Sequence, residues 1–70
     1  LMPGDVGLVA ALLTKAFGFA VDANGYAEMS RESKLKWIMR GINDTLANND
    51  VAAHDALLNE YRELLAQTGP

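Results

Sequence analysis

The sequence predicts an all-α chain of three helices, and three observations carry that reading. Apolar residues recur at helical spacing in three successive runs. Helix-capping and turn residues stand between the runs. No stretch of useful length shows the two-residue alternation of a half-buried strand. The expected arrangement is a hydrophobic N-terminal helix followed by an antiparallel αα-hairpin. Residues 1–70 would then form a single small helical domain, with the apolar helix at about 6–21, a linker at 22–29 and the hairpin at about 30–67.

The first helix is expected from Pro3-Gly4-Asp5, where Asp5 is placed to cap the next turn. In the run that follows, Val9, Leu12, Leu13, Ala16, Phe17 and Ala20 fall on one stripe, widened by Val6, Leu8 and Phe19. The opposite side carries small residues, Gly7, Ala11, Thr14 and Gly18. Two glycines inside a helix cost roughly 1 kcal/mol each relative to alanine, which tertiary packing must offset. Asn24-Gly25 reads as a positive-φ turn ending the segment.

Ser30 is the expected cap of the second helix, which runs to about Ala47. Leu35, Ile38, Met39, Ile42 and Leu46 form its apolar stripe, and Glu32 with Lys36 makes a favourable i,i+4 pair. Gly41 weakens its middle. Asn48-Asn49-Asp50 breaks the chain, with Asp50 capping a third helix. That helix presents Val51, His54, Leu57, Leu58, Tyr61, Leu64 and Leu65 on one face, and Thr68-Gly69-Pro70 stops it. So short a break makes these two helices close neighbours.

Length and composition limit what such a chain can do. A 70-residue chain is one domain at most. Domains of this size bury only about 60% of the surface their unfolded chain exposes. With no cysteine there is neither a disulfide nor a thiolate metal site, and the lone His54 offers no multi-histidine site. No cofactor is expected. The formal net charge of −3 argues against whole-molecule attraction to nucleic acid. A helix-turn-helix reading would place Asp55, Glu60 and Glu63 against phosphate, with only Arg62 to offset them.

Enzymatic activity is not expected. No serine has a nucleophile's setting and no glycine-rich loop follows a strand. Asp50 and Asp55 are explained as cap and first-turn acid, and His54 as a histidine on an apolar face. No small-molecule substrate is evident.

Two surfaces remain as candidates. The Gly7, Ala11, Thr14 and Gly18 face repeats small residues four apart, which lets another backbone approach closely. Trp37 lies off the apolar stripe of its helix, among Lys34, Lys36 and Arg40, a combination suited to a protein-contact anchor or a membrane-interface anchor. Val6–Val21 also bears on membranes. Its eight Val, Leu and Phe residues contribute about −2.4 to −4.8 kcal/mol of insertion energy, nearly cancelled by Lys15 and the two glycines. Sixteen helical residues span about 24 Å, short of a hydrocarbon core of about 30 Å. No basic region precedes the segment, so it does not read as a secretory signal.

The leading expectation is a non-catalytic structural or scaffolding subunit. It would form a homo-oligomer or join a larger protein assembly through the apolar N-terminal helix, in the style of a virion or phage-encoded accessory protein. The alternatives are a membrane-associated protein with that helix in the bilayer or interface, and a helical adaptor binding a protein partner. The cytoplasm, or the cytoplasmic face of a membrane, is the compartment these readings imply.

Overall fold

A computed structural model describes residues 4–67, with side chains from residue 6 onward, and all regular structure among them is α-helical. Four helices are present rather than three: α1 (Gly4–Phe17), α2 (Ala23–Glu28), α3 (Arg31–Ala47) and α4 (Val51–Ala66). Asp5 lies inside α1 rather than ahead of it, and the expected stop at Thr68-Gly69-Pro70 lies outside the described residues.

The apolar helix ends four residues before Val21 because Gly18 takes φ +84°. Glycine adopts that left-handed conformation without a Cβ penalty and so terminates helices readily. The Gly18 N–H still donates to the Thr14 carbonyl at 2.9 Å. The Thr14 hydroxyl then accepts the Val21 N–H at 2.8 Å, which fixes the path of the chain after the helix. Phe19 and Ala20 therefore leave the helical stripe on which periodicity placed them, and Val21 lies beyond the helix that was expected to reach it.

The expected linker at 22–29 contains α2. Asp22 Oδ2 accepts the Gly25 N–H at 2.8 Å, so Asn24 and Gly25 enter a helical first turn and neither takes a positive φ. The short helix carries Tyr26 into the interior, where it is 2% exposed. The Tyr26 hydroxyl donates to Glu60 Oε2 at 3.4 Å. Burial, then the neighbouring Glu60 carboxylate, push the phenol pKa far above its ordinary value.

Ser30 and Asp50 cap as their chemistry requires, accepting the N–H groups of Ser33 at 3.1 Å and Ala53 at 3.3 Å. Glu32 and Lys36 do not come within ion-pair distance, and the expected i,i+4 pair is absent among the described residues. Residues 48–50 join α3 to α4, with Asn49 at φ 58°. At the far end Arg31 donates from Nε to the Leu64 carbonyl at 2.7 Å and from its terminal nitrogen to the Leu65 carbonyl at 3.2 Å. The start of α3 therefore lies beside the end of α4, and the fork adds to the capping of its last-turn carbonyls, of which Leu64 also accepts the Gln67 N–H at 3.3 Å.

Helix α1 crosses the α3/α4 pair at Gly41. A Cβ on Gly41 would sit 2.6 Å from Leu13 Cδ2 and 3.0 Å from Leu57 Cδ1, both on fully buried leucines. Around this point the core gathers Val9, Leu13, Tyr26, Ile38, Ile42, Leu57 and Leu64. Small residues Ala10, Ala53 and Thr45 are buried beside them, and the Thr45 hydroxyl is satisfied by the Ile42 carbonyl at 2.9 Å.

This crossing shifts the buried faces away from the apolar stripes. On α3, Ile38 and Ile42 are buried with Gly41 and Thr45, while Met39 and Leu46 stay exposed. On α4, Leu57 and Leu64 are buried with Ala53, while Val51 and Leu65 stay exposed. Close packing selected the small residues over one edge of each stripe.

Two glycine substitutions should move stability in opposite directions. Gly7 is exposed with nothing within 4 Å of its Cβ position, so Gly7→Ala should stabilise by up to about 1 kcal/mol in denaturant unfolding. Gly41→Ala gains the same helix propensity but overpacks two fully buried leucines, at about 1–3 kcal/mol, and should destabilise. The Tyr26 shift has its own consequence. The folded state holds the phenolic proton that the unfolded chain releases near pH 10, so this stabilisation is complete below that pH and falls as pH rises above it. Unfolding midpoints followed from neutral to alkaline pH should show a shallower decline in Tyr26→Phe than in the parent chain.

Candidate functional site

Gly18 determines the site as well as the helix end. By turning the chain between two phenylalanines it lays Phe19 over Phe17, the rings stacked with centroids 5.2 Å apart and planes 27° apart. Trp37 of α3 meets both rings by its edge, at 5.5 Å from Phe17 and 6.4 Å from Phe19. These are the offset and T-shaped arrangements that aromatic quadrupoles favour. Arg40, one turn after Trp37, holds its guanidinium 5.4 Å from the Phe17 centroid. Lys36 completes the wall of a recess of about 230 Å3.

The recess is half open. Phe19 is 48% exposed and Trp37 half-buried, while Lys36 and Arg40 are exposed. No acidic residue lines it. It offers aromatic faces, an apolar floor and two cations, with no lining group suited to act as a nucleophile or general base.

The basic residues Arg31, Lys34, Lys36 and Arg40, which lie within ten residues of one another, divide. Lys36 and Arg40 join Trp37 at the recess. Lys34 instead places its ammonium 5.5 Å from the Tyr26 ring centroid. Arg31 is committed to the end of α4. Phe17 and Phe19 are the recess residues that periodicity missed, since both were assigned to the core stripe. The local signal was Gly18 between two aromatics.

The small-residue face also divides. Gly7 and Ala11 are exposed on the outer side of α1 beside Leu8, 57% exposed. Thr14 is half-buried and holds Val21, and Gly18 lies beyond the helix, so neither continues that face. Lys15, on the same outer side, reaches the N-cap of α4 and pairs with Asp50 Oδ2 at 3.0 Å. The Lys15 hydrogen bond and then the Ala53 N–H hold the Asp50 carboxyl below its ordinary range. His54 is half-buried with Nδ1 3.4 Å from Asp55 Oδ1.

Other recesses lie among the described residues. One of about 200 Å3 lies between α1 and α4, where Leu8 and Leu12 face Ala56, Glu60 and Glu63. A smaller one of about 80 Å3 lies at the α3/α4 turn. Among the described residues no group of three or more His, Asp or Glu is placed to hold a metal ion, and no helix is long and apolar enough to cross a membrane. Comparison of the chain with protein-family models, curated proteins and solved structures yields no match.

The two phenylalanines should respond differently to truncation. Phe17 packs against the core, so Phe17→Ala should cost about 3–5 kcal/mol if its cavity does not collapse. Phe19 covers Trp37 from solvent, so Phe19→Ala should cost well under half as much. It should still shift the emission of the sole tryptophan to longer wavelength.

Proposed function

We propose that this chain is a non-catalytic helical assembly subunit that works by protein contact, with the Phe17/Phe19/Trp37 recess as its docking point. The observation carrying this reading is the recess itself, three aromatic rings in contact beside Lys36 and Arg40 with no acid among its lining. Its counterpart is an acidic segment of a partner protein carrying one large apolar anchor. The anchor enters between Phe19 and Trp37, and flanking carboxylates meet the two cations. Tryptophan and arginine are enriched among residues that dominate interface energetics, and a pocket lined by them is where such energy concentrates.

The α3/α4 pair serves in this reading as a helical hairpin that holds Trp37, Lys36 and Arg40 rigid, while the end of α1 supplies the opposite wall. Assembly remains the function, and its centre moves from the Gly7/Ala11 face to the recess. A second reading draws on the same exposed Phe19 beside Trp37 and two cations, because aromatic and basic residues together also suit the interface of an anionic membrane.

Trp37 makes the test direct. A synthetic acidic peptide with a single leucine or phenylalanine anchor should quench or blue-shift its emission saturably. Binding should weaken at least about tenfold in the Lys36→Glu, Arg40→Glu double variant, in which two steered charges are reversed. A peptide of the same composition without the anchor should bind more weakly. An emission change with anionic vesicles but not with peptide would replace the protein-docking reading with the membrane one. No response to either would end both.

A further inference from the structure

Asn24-Gly25, a turn signal in the sequence, takes no positive φ in the fold. It is also a reactive pair. Asparagine is chemically labile. The main-chain nitrogen of the next residue attacks its Cγ most readily when that residue has no side chain to crowd the approach. Asn24 alone precedes a glycine; Asn43, Asn48, Asn49 and Asn59 each precede a residue with a side chain. Asn24 and Gly25 are both exposed, so water reaches the pair.

Two features of α2 hold the reacting atoms apart. Helical ψ at Asn24 turns the Gly25 nitrogen away from Cγ, and closing a five-membered ring requires that ψ to leave the helical range. The Gly25 N–H also donates to Asp22 Oδ2 at 2.8 Å, so the nitrogen that would attack keeps its proton in a hydrogen bond. Against this, α2 has six residues, with Tyr26 its buried one. So short a helix opens at lower cost than its long neighbours.

We infer that Asn24 is a site of spontaneous self-modification, restrained in the folded chain by the Asp22 cap and released when α2 opens. In the opened segment the Gly25 nitrogen gives its proton to solvent and bonds to Asn24 Cγ. The side-chain nitrogen takes up a proton and leaves as ammonia, closing a succinimide ring. Water then adds to one of the two ring carbonyls. Cleavage between the Gly25 nitrogen and Cγ gives aspartate at position 24. Cleavage between that nitrogen and the main-chain carbonyl carbon gives isoaspartate. The sum is an amide and water converted to a carboxylate and ammonium, with no oxidation or reduction.

The two products differ in consequence. Aspartate leaves the main chain unaltered and adds a carboxylate to a first helical turn, where the dipole favours it. Isoaspartate routes the main chain through Cβ and inserts a carbon ahead of Gly25. The N–H groups of Gly25 and Tyr26, which bond to the side chain and carbonyl of Asp22 at 2.8 and 2.9 Å, both lie beyond that carbon. The isoaspartyl chain therefore loses the register of α2. With it goes the seating of Tyr26, whose ring belongs to the core and whose hydroxyl meets Glu60. Asn24 is a one-way clock on the packing of α2.

Peptide mapping by mass spectrometry, on the full chain held at mildly alkaline pH with and without urea, tests this. In urea Asn24 should convert before any other asparagine, and in the folded chain it should convert markedly more slowly. Asp22→Ala, at an exposed position, should speed conversion of the folded chain about fivefold, the gain in opened α2 on losing a cap, and barely alter the rate in urea. Asp22→Ser, which caps without a carboxylate, should restore the slow rate. Gly25→Ala, whose added Cβ meets Asp22 only in ordinary contact, should lose most of the conversion in both conditions. A synthetic chain with isoaspartate at position 24 should unfold at lower urea concentration than the parent, while Asn24→Asp unfolds close to it. Asn24 left intact in urea overturns the site. Equal rates in the folded and urea-treated parent, or in the folded parent and Asp22→Ala, overturn the restraint by the cap. An isoaspartyl chain as stable as the parent overturns the consequence for α2.

Discussion

The absence of a side chain at Gly41 is the constraint on which the rest depends. Three helices meet there closely enough that one added carbon would enter the space of two buried leucines. Close packing of this kind gains dispersion and apolar burial where a short chain has few other resources. It also determines which residues face inward. Because α1 settles over Gly41, the pair α3 and α4 turns its small side toward α1 and leaves part of its larger apolar edge outside.

The same crossing links the ends of the elements. Lys15, near the end of α1, reaches the residue that caps α4, so docking of α1 and the start of α4 share one ion pair. Phe17 meets Trp37 and Arg40 because the crossing brings the last turn of α1 over the middle of α3. Gly18 then folds Phe19 back onto that contact. The recess thus arises where a helix ends on top of another helix, and its cations come from the supporting helix rather than from a loop.

Local chemistry was legible in the sequence and tertiary choice was not. Ser30 and Asp50 act within one turn of themselves, and their capping follows from residue type and position alone. The all-helical class followed from periodicity. Asp22 was equally local, but Asn24-Gly25 sent a competing turn signal, and the cap prevailed. Gly18 read as one more small residue because nothing in the spacing distinguishes a helix-interior glycine from one at positive φ. Trp37, Lys36 and Arg40 could be grouped by helical spacing, whereas Phe17 and Phe19 joined them only through the crossing. Periodicity placed Val9, Leu13, Ile38, Ile42, Leu57 and Leu64 on apolar stripes, and these are buried. It could not say which part of each stripe α1 would cover, since this was decided by small residues that hydrophobicity scarcely ranks.

Arg31 holds the last carbonyls of α4 across more than thirty residues of chain, whereas the other end of the pair is closed by a three-residue connection. The two ends should therefore form at different times. The turn at 48–50 brings α3 and α4 together at little loop-closure cost, and their contacts can propagate from it. Arg31 engages only once that register has reached the far end. Its fork then acts as a latch on a zipper, and loss of the latch would let the pair open from the end remote from the turn.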